Sequence, residues 1–323
     1  MVSGAENLSP IGNSPALHLR AGEEYSLRMP EIAPHLHWLP LAAIALAFFS
    51  TLSVLAFWRR RAARPAPHEL GRSPGQSLRD ALSQAGLDAA EYSALGLCML
   101  PLAAAGATAW RGLAGAPLEP DTALVLAGAA AAAQLWVLSR LWVVLRRSRR
   151  LRYGYEAELV AGQELNGLGG LGYHVFHDVP LGARAPKADH VLVGPAGVFA
   201  VETEARARAG ADPEREVTYD GASLQFAQRR ETAPLEQAVA QAVRVRSLLA
   251  AEVGEQFAVQ PVVVLPGWRV RRTDISGIPV LAASRIRHYF GRLRPQAAMS
   301  EAMIERVAQC LEARCRGSAA PVA

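Results

Sequence analysis

The chain has 323 residues, enough for one ordinary domain and a substantial addition. Its 34 basic and 29 acidic residues leave a net charge of +5, too small by itself to mark a nucleic-acid binder. Three cysteines, Cys98, Cys310 and Cys315, show no zinc spacing and imply no disulfide framework. Almost all the cations are arginine, and alanine abounds, a bias that points to a GC-rich bacterial genome.

In chain order, residues 1–37 carry several Pro and Gly without periodicity and read as a flexible tail. Leu39 to Phe57 is an apolar run long enough to span a bilayer. Trp38 and Trp58 flank it as interfacial aromatics do, so the first span is set at 38–58. Arg59, Arg60 and Arg61 follow, on the wrong side for a secretory signal. Residues 59–92 read as a basic linker, rich in Pro, Gly and Ser over 62–77, with a short amphipathic helix expected at Ser77–Tyr92. Residues 93–146 hold two further candidate spans, Ala94–Trp110 with Pro101 inside it and Thr122–Leu145 with Gly128 and an alanine block. Arg140 lies close enough to the end of the last span to snorkel to the interface, which disfavours a pore charge. Polar residues are otherwise sparse in these runs, against a transporter or channel.

Arginines concentrate after the first and third spans and are few in the tail and at Arg111. The positive-inside rule then expects an integral protein of the bacterial inner membrane, N-terminus outside and C-terminal domain in the cytoplasm. A soluble reading would make the second and third spans a buried hairpin.

Beyond residue 150 the pattern changes to that of a folded α/β domain. Tyr155–Leu168 has helical spacing at Leu159, Gly162 and Leu165. Gly172–Val179 reads as a strand; the spacing of His174 and His177 puts them on opposite faces. Ala188–Glu204 reads as two strands joined by a Gly-Pro-Ala-Gly turn. Asp189 opens the first and Glu202 closes the second, so a hairpin brings two acids together, as a hard divalent cation requires. Solvated acids at strand ends would show the same pattern. Val217–Phe226 reads as a hairpin around a two-residue Asp220-Gly221 turn. Thr232 can cap a helix over 234–251 carrying Gln237, Gln241, Arg244 and Arg246. Val259–Leu265 and Ile278–Ala282 read as strands, Ser284 as a cap, and Ser300–Cys315 as a last helix.

Six segments together carry a resemblance: GYEAELVAGQEL (Gly154–Leu165), GYHVFHDVP (Gly172–Pro180), DHVLVGPAGVFAVET, VTYDG (Val217–Gly221), PLEQAVAQA (Pro234–Ala242) and VQPVVVLPGWRV (Val259–Val270). They resemble the NERD family, the nuclease-related domain, of the PD-(D/E)XK nuclease superfamily. The resemblance implies a NERD-like domain over 150–293, with 294–323 as a C-terminal helix and tail. It implies a mixed sheet flanked by helices, restriction-endonuclease-like, behind the membrane helices. It implies Mg²⁺ held by Asp189 and Glu202, and a catalytic set of Glu158, Asp189, Glu202 and Glu204. Glu204 stands where the superfamily's E-x-K motif has lysine, the cation that steadies charge at the scissile phosphate. Lys187, the only lysine, and Arg206 are the nearby cations that could compensate, and Gln237 and Arg206 are the expected substrate contacts. Two functions follow: Mg²⁺-dependent phosphodiester hydrolysis of nucleic acid, or an inactive membrane-tethered nucleic-acid-binding or scaffold protein.

Overall fold

The computed structural model describes residues 71–115, 119–182, 186–206, 215–227, 229–274, 276–297 and 299–317. The candidate span at 38–58 lies outside them. Helix α1 (Gln76–Ala114) and helix α2 (Pro120–Asn166) form an antiparallel pair. Both contain windows long and apolar enough to cross a membrane, and only 12% and 6% of those windows are buried. Leu97, Leu113, Leu124 and Trp142 face outward, whereas the core helix of a soluble protein would bury such residues. Between the helices Tyr92 meets Trp136 edge to face, and Arg140 and Arg146 lie over the rings of Trp136 and Trp142.

Two boundaries differ from the expectation. Ser77–Tyr92 and Ala94–Trp110 are one helix, α1, with Pro101 inside it. The third candidate span and the helix at Tyr155–Leu168 are also one, the 47-residue α2. Hydropathy falls sharply at the Arg146–Arg152 run, but arginine is a good helix former, and neither Gly nor Pro intervenes until Gly154. A change of environment is legible there; a break in the backbone does not follow from it. Pro120 at the first turn and Asp121 beside it start α2 in the favoured way.

The domain itself has two sheets. The larger has the order β1-β2-β3-β7-β9: β1 (His174–Val179), β2 (Ala188–Gly194), β3 (Gly197–Thr203), β7 (Val259–Leu265) and β9 (Val280–Ala282). β1, β2 and β3 run antiparallel, while β3, β7 and β9 run parallel. The smaller has the order β6-β5-β4-β8: β4 (Glu216–Tyr219), β5 (Leu224–Phe226), β6 (Arg229–Glu231) and β8 (Arg269–Arg272). This is the expected mixed sheet flanked by helices. β6 and β8 have no counterpart among the expected strands, because short arginine-rich runs lack the apolar alternation that marks one.

Alternation along β2 and β3 divides the core. Val191, Val193, Val198 and Ala200 pack with helices α3 (Ala233–Val253) and α5 (Glu301–Gly317). Leu192, Phe199 and Val201 pack with the end of α2 and the short helix α4 (Ile286–Phe290). The β4–β5 connection is a four-residue loop and not the expected tight turn, since Tyr219 pairs with Leu224. The Asp220 carboxylate accepts from the backbone N–H groups of Ala222 and Ser223 and closes the loop. Thr232 occupies the cap position of α3, but its hydroxyl donates to Glu236 instead of accepting from the helix. Ser300 does cap α5, accepting from the N–H of Met303.

Candidate active site

The β2–β3 register, His190 opposite Val201, sets Asp189 beside Glu202 at the end of the ladder. Glu204 continues from β3, its N–H donating to the carbonyl of Val264 at 2.9 Å. Glu158 comes from the C-terminal part of α2 and is buried. The four acids assigned from the sequence therefore converge on one end of the larger sheet.

The electrostatics of this convergence are unfavourable without a cation. Glu158 is pushed up to about 8, first by burial, then by Asp189, Asp178 and Glu202. Glu202 is pushed up to about 8, first by burial, then by Asp189 and Glu204, with Arg244 opposing. Asp189 is raised to about 7 by burial, although the Thr203 N–H donates to it at 2.8 Å. Glu204 is raised by burial and held back by Arg206, 2.9 Å away.

Several expected contacts fall elsewhere. Gln237 is exposed on α3, and the glutamine that reaches the acids is Gln241, one turn on. Gln241 is buried, and its Nε2 donates to Glu202 at 2.7 Å while its Oε1 has no hydrogen-bond partner. Arg206 is held by Glu204 and Glu231 and lies over the Phe226 ring, so its charge is already engaged by the protein's own acids. Lys187 turns to Asp178 at 3.2 Å instead of standing in for the absent lysine.

Asp178 is absent from the residues expected from the sequence, although it sits inside the apolar strand run HVFHDV, where a charge is out of place. It is 3% exposed with a left-handed φ of 52°. Arg72, Ser77 and Lys187 all donate to its carboxylate. Arg72 and Ser77 bracket the turn that enters α1, so the start of the helical pair is fastened to β1. Gly162 allows this: a Cβ there would lie 2.5 Å from Pro74. Gly75, at φ 67°, crosses above Glu158, and its N–H donates to that carboxylate.

A second polar network crosses the sheet. Asn166 meets His177 Nε2 at 2.9 Å, His177 Nδ1 meets His190 Nδ1 at 2.8 Å, and His190 Nε2 meets Thr203 Oγ1 at 3.1 Å. With the Asn166 oxygen as acceptor, His177 carries its proton on Nε2. His190 then donates from Nδ1, and Thr203 donates to His190 Nε2. Burial lowers His177 to about 4 and His190 well below the usual range, so both rings are neutral. The chain ends on Thr203, whose N–H holds Asp189. As the spacing predicts, His174 is exposed and takes no part.

Among the described residues, no three His, Cys, Asp or Glu side chains already converge as ligands of one ion. Asp189 and Glu202 nevertheless fit Mg²⁺, which commonly takes one or two carboxylates and fills its remaining positions with water and substrate phosphate. Their mutual repulsion in a desolvated site is the kind that a hard cation relieves.

Residues 153–266 match the family model NERD, described as the nuclease-related domain. No curated protein and no solved structure gave a significant match. The matched span contains Glu158, Asp178, Asp189, Glu202, Glu204 and Gln241. Arg72 and Gly75 precede it, and β8 and β9 follow it.

Proposed function

We propose that this is a membrane-anchored protein whose nuclease-related domain hydrolyses phosphodiester bonds of nucleic acid with Mg²⁺. The observation that carries this is the gathering of Glu158, Asp189 and Glu202, desolvated and each raised by a neighbouring acid, at one end of the sheet. Asp189 and Glu202 would hold the ion. A bound Mg²⁺ supplies charge neutralisation and polarisation of the phosphoryl oxygens. Gln241 orients Glu202 through its amide, and Thr203 orients Asp189 through its backbone N–H. Glu158, unprotonated once the cluster is neutralised, can take a proton as a general base. The arginine asymmetry supports placing the domain in the cytoplasm behind an inner membrane.

Glu204 favours a second reading, a binding-only descendant. In place of the lysine it adds a carboxylate, and its partner Arg206 is shared with Glu231. The full-length chain in neutral detergent, given labelled DNA or RNA with Mg²⁺ or Mn²⁺, separates the two. Hydrolysis should occur and should vanish in Glu202→Ala and Asp189→Ala. Cleavage surviving both substitutions would place the site elsewhere. No cleavage by the parent or by Glu204→Lys would favour the binding-only reading.

A further inference from the structure

The edges of the two sheets meet in a cleft of about 460 Å³. β8 is the edge of the smaller sheet and β9 the edge of the larger. Trp268, Arg269, Arg271, Arg272 and Arg285 line the cleft, with Glu216 the acid among its lining residues. Arg272 serves the fold, donating to the carbonyls of Asp274 and Ser276 and lying over the Tyr219 ring. Arg269, Arg271 and Arg285 are exposed, and Arg271 stands 3.3 Å from Glu216. Trp268 is half-buried and fixed edge to face against Phe226, 5.1 Å between centroids.

The cleft runs along β8 and β9, and its Arg285 end lies at the same end of the sheet as the acids. β3, β7 and β9 run parallel, with Thr203 beside Val264 and Leu265 beside Ala282. Glu204 and Arg285 thus both follow the carboxyl ends of their strands, where open α/β sheets place their ligands. Two strand spacings, roughly 10 Å, separate β3 from β9.

We propose that the β8–β9 cleft binds the phosphodiester backbone of a nucleic-acid strand next to the acid cluster, with Arg269, Arg271 and Arg285 as phosphate contacts and Trp268 as a base-stacking platform. This rests on the hydrolytic reading of the acid cluster for its substrate class. It adds the means of approach: the acid cluster offers a polyanion no positive charge, and the arginine-lined cleft supplies it. Arg269 and Arg271 share one face of β8, about 7 Å apart, so they address successive phosphates rather than clamp one. A fixed aromatic beside arginines is the arrangement that holds single strands without reading sequence.

The test is fluorescence anisotropy of labelled single-stranded DNA and RNA with the full-length chain in neutral detergent and EDTA, over a range of salt. Binding without metal reads the cleft apart from catalysis. Replacing Arg269, Arg271 and Arg285 together by Ala should weaken binding about tenfold or more at low salt. The slope of log affinity against log salt should fall by about 0.7 for each phosphate that the variant no longer neutralises. Arg285→Glu, on an exposed turn, should weaken binding without a change in thermal unfolding, and Glu216→Gln should tighten it. Parent affinity in the triple variant, or no oligonucleotide binding by the parent at low salt, overturns the proposal. So does a triple variant that loses binding to anionic lipid vesicles while keeping its oligonucleotide affinity. A parent that binds through the cleft but never cleaves leaves this site standing and removes the hydrolytic reading.

Discussion

Asp178 and Glu202 are buried or half-buried carboxylates of the same sheet, yet their surroundings are opposite. Asp178 has a guanidinium, an ammonium and a hydroxyl around it, and ties β1 to the start of α1. Glu202 has Gln241, two neighbouring acids and the weak opposition of Arg244. The first is a structural anchor whose partners are supplied by the chain. The second is the centre of a cluster that the chain leaves short of positive charge, and such a cluster in a desolvated site suits a cation.

The sharpest way to break this contrast is to neutralise each acid. Glu202→Gln should abolish metal-dependent cleavage, by about a thousandfold or more, while leaving the fold intact. Asp178→Asn should instead destabilise the chain by about 3–5 kcal/mol, because Arg72 and Lys187 both lose the carboxylate charge they pair with at a buried position. Thermal unfolding of the two variants beside a cleavage assay checks both. If Asp178→Asn is silent and Glu202→Gln unfolds the chain, the assignments are reversed.

The contrast also predicts a pH dependence. Glu158 and Glu202 are raised to about 8 and Asp189 to about 7, so the folded chain binds more protons than the unfolded chain between about pH 4.5 and 8. Stability of the metal-free protein should therefore decline as pH rises through that window. Mg²⁺ or Mn²⁺ should restore it near pH 8, and Glu202→Gln should flatten the decline. Melting curves at pH 5 and pH 8, with and without metal, measure this. Smaller effects are expected further out. Glu204→Lys should raise cleavage, on the order of tenfold, by returning a cation near the phosphate while Arg206 stays paired with Glu231. Thr203→Val, which leaves His190 Nε2 without its donor, should cost about 1 kcal/mol of stability and slow cleavage only modestly.

Much of this arrangement is legible in the sequence. Alternation along Ala188–Glu204 places Asp189 and Glu202 together, and the NERD resemblance picks out Glu158 on a helix that otherwise offers only a solvated glutamate. What escapes has physical reasons. Gln237 and Gln241 sit one turn apart, and only the packing of α3 on the sheet decides that Gln241 is the buried one. Asp178 depends on Arg72, 106 residues earlier, a distance no local pattern spans. The cleft depends on β8, whose Arg-Val-Arg-Arg run has too little apolar surface to signal a strand. The helix through Arg146–Arg152 escapes because polarity and helix propensity are different properties.

Whether Asp189 and Glu202 form a divalent-cation site is tested most directly by calorimetric titration of Mg²⁺ and Mn²⁺ into the full-length chain at pH 7–8. Saturable binding with release of protons is expected, since the acids must ionise to hold the ion. Both the binding and the proton release should disappear in Glu202→Gln and in Asp189→Asn, and both should persist in Asp178→Asn at a temperature where that variant is folded. Absence of binding by the parent, or binding unchanged by Glu202→Gln and Asp189→Asn, would contradict the assignment.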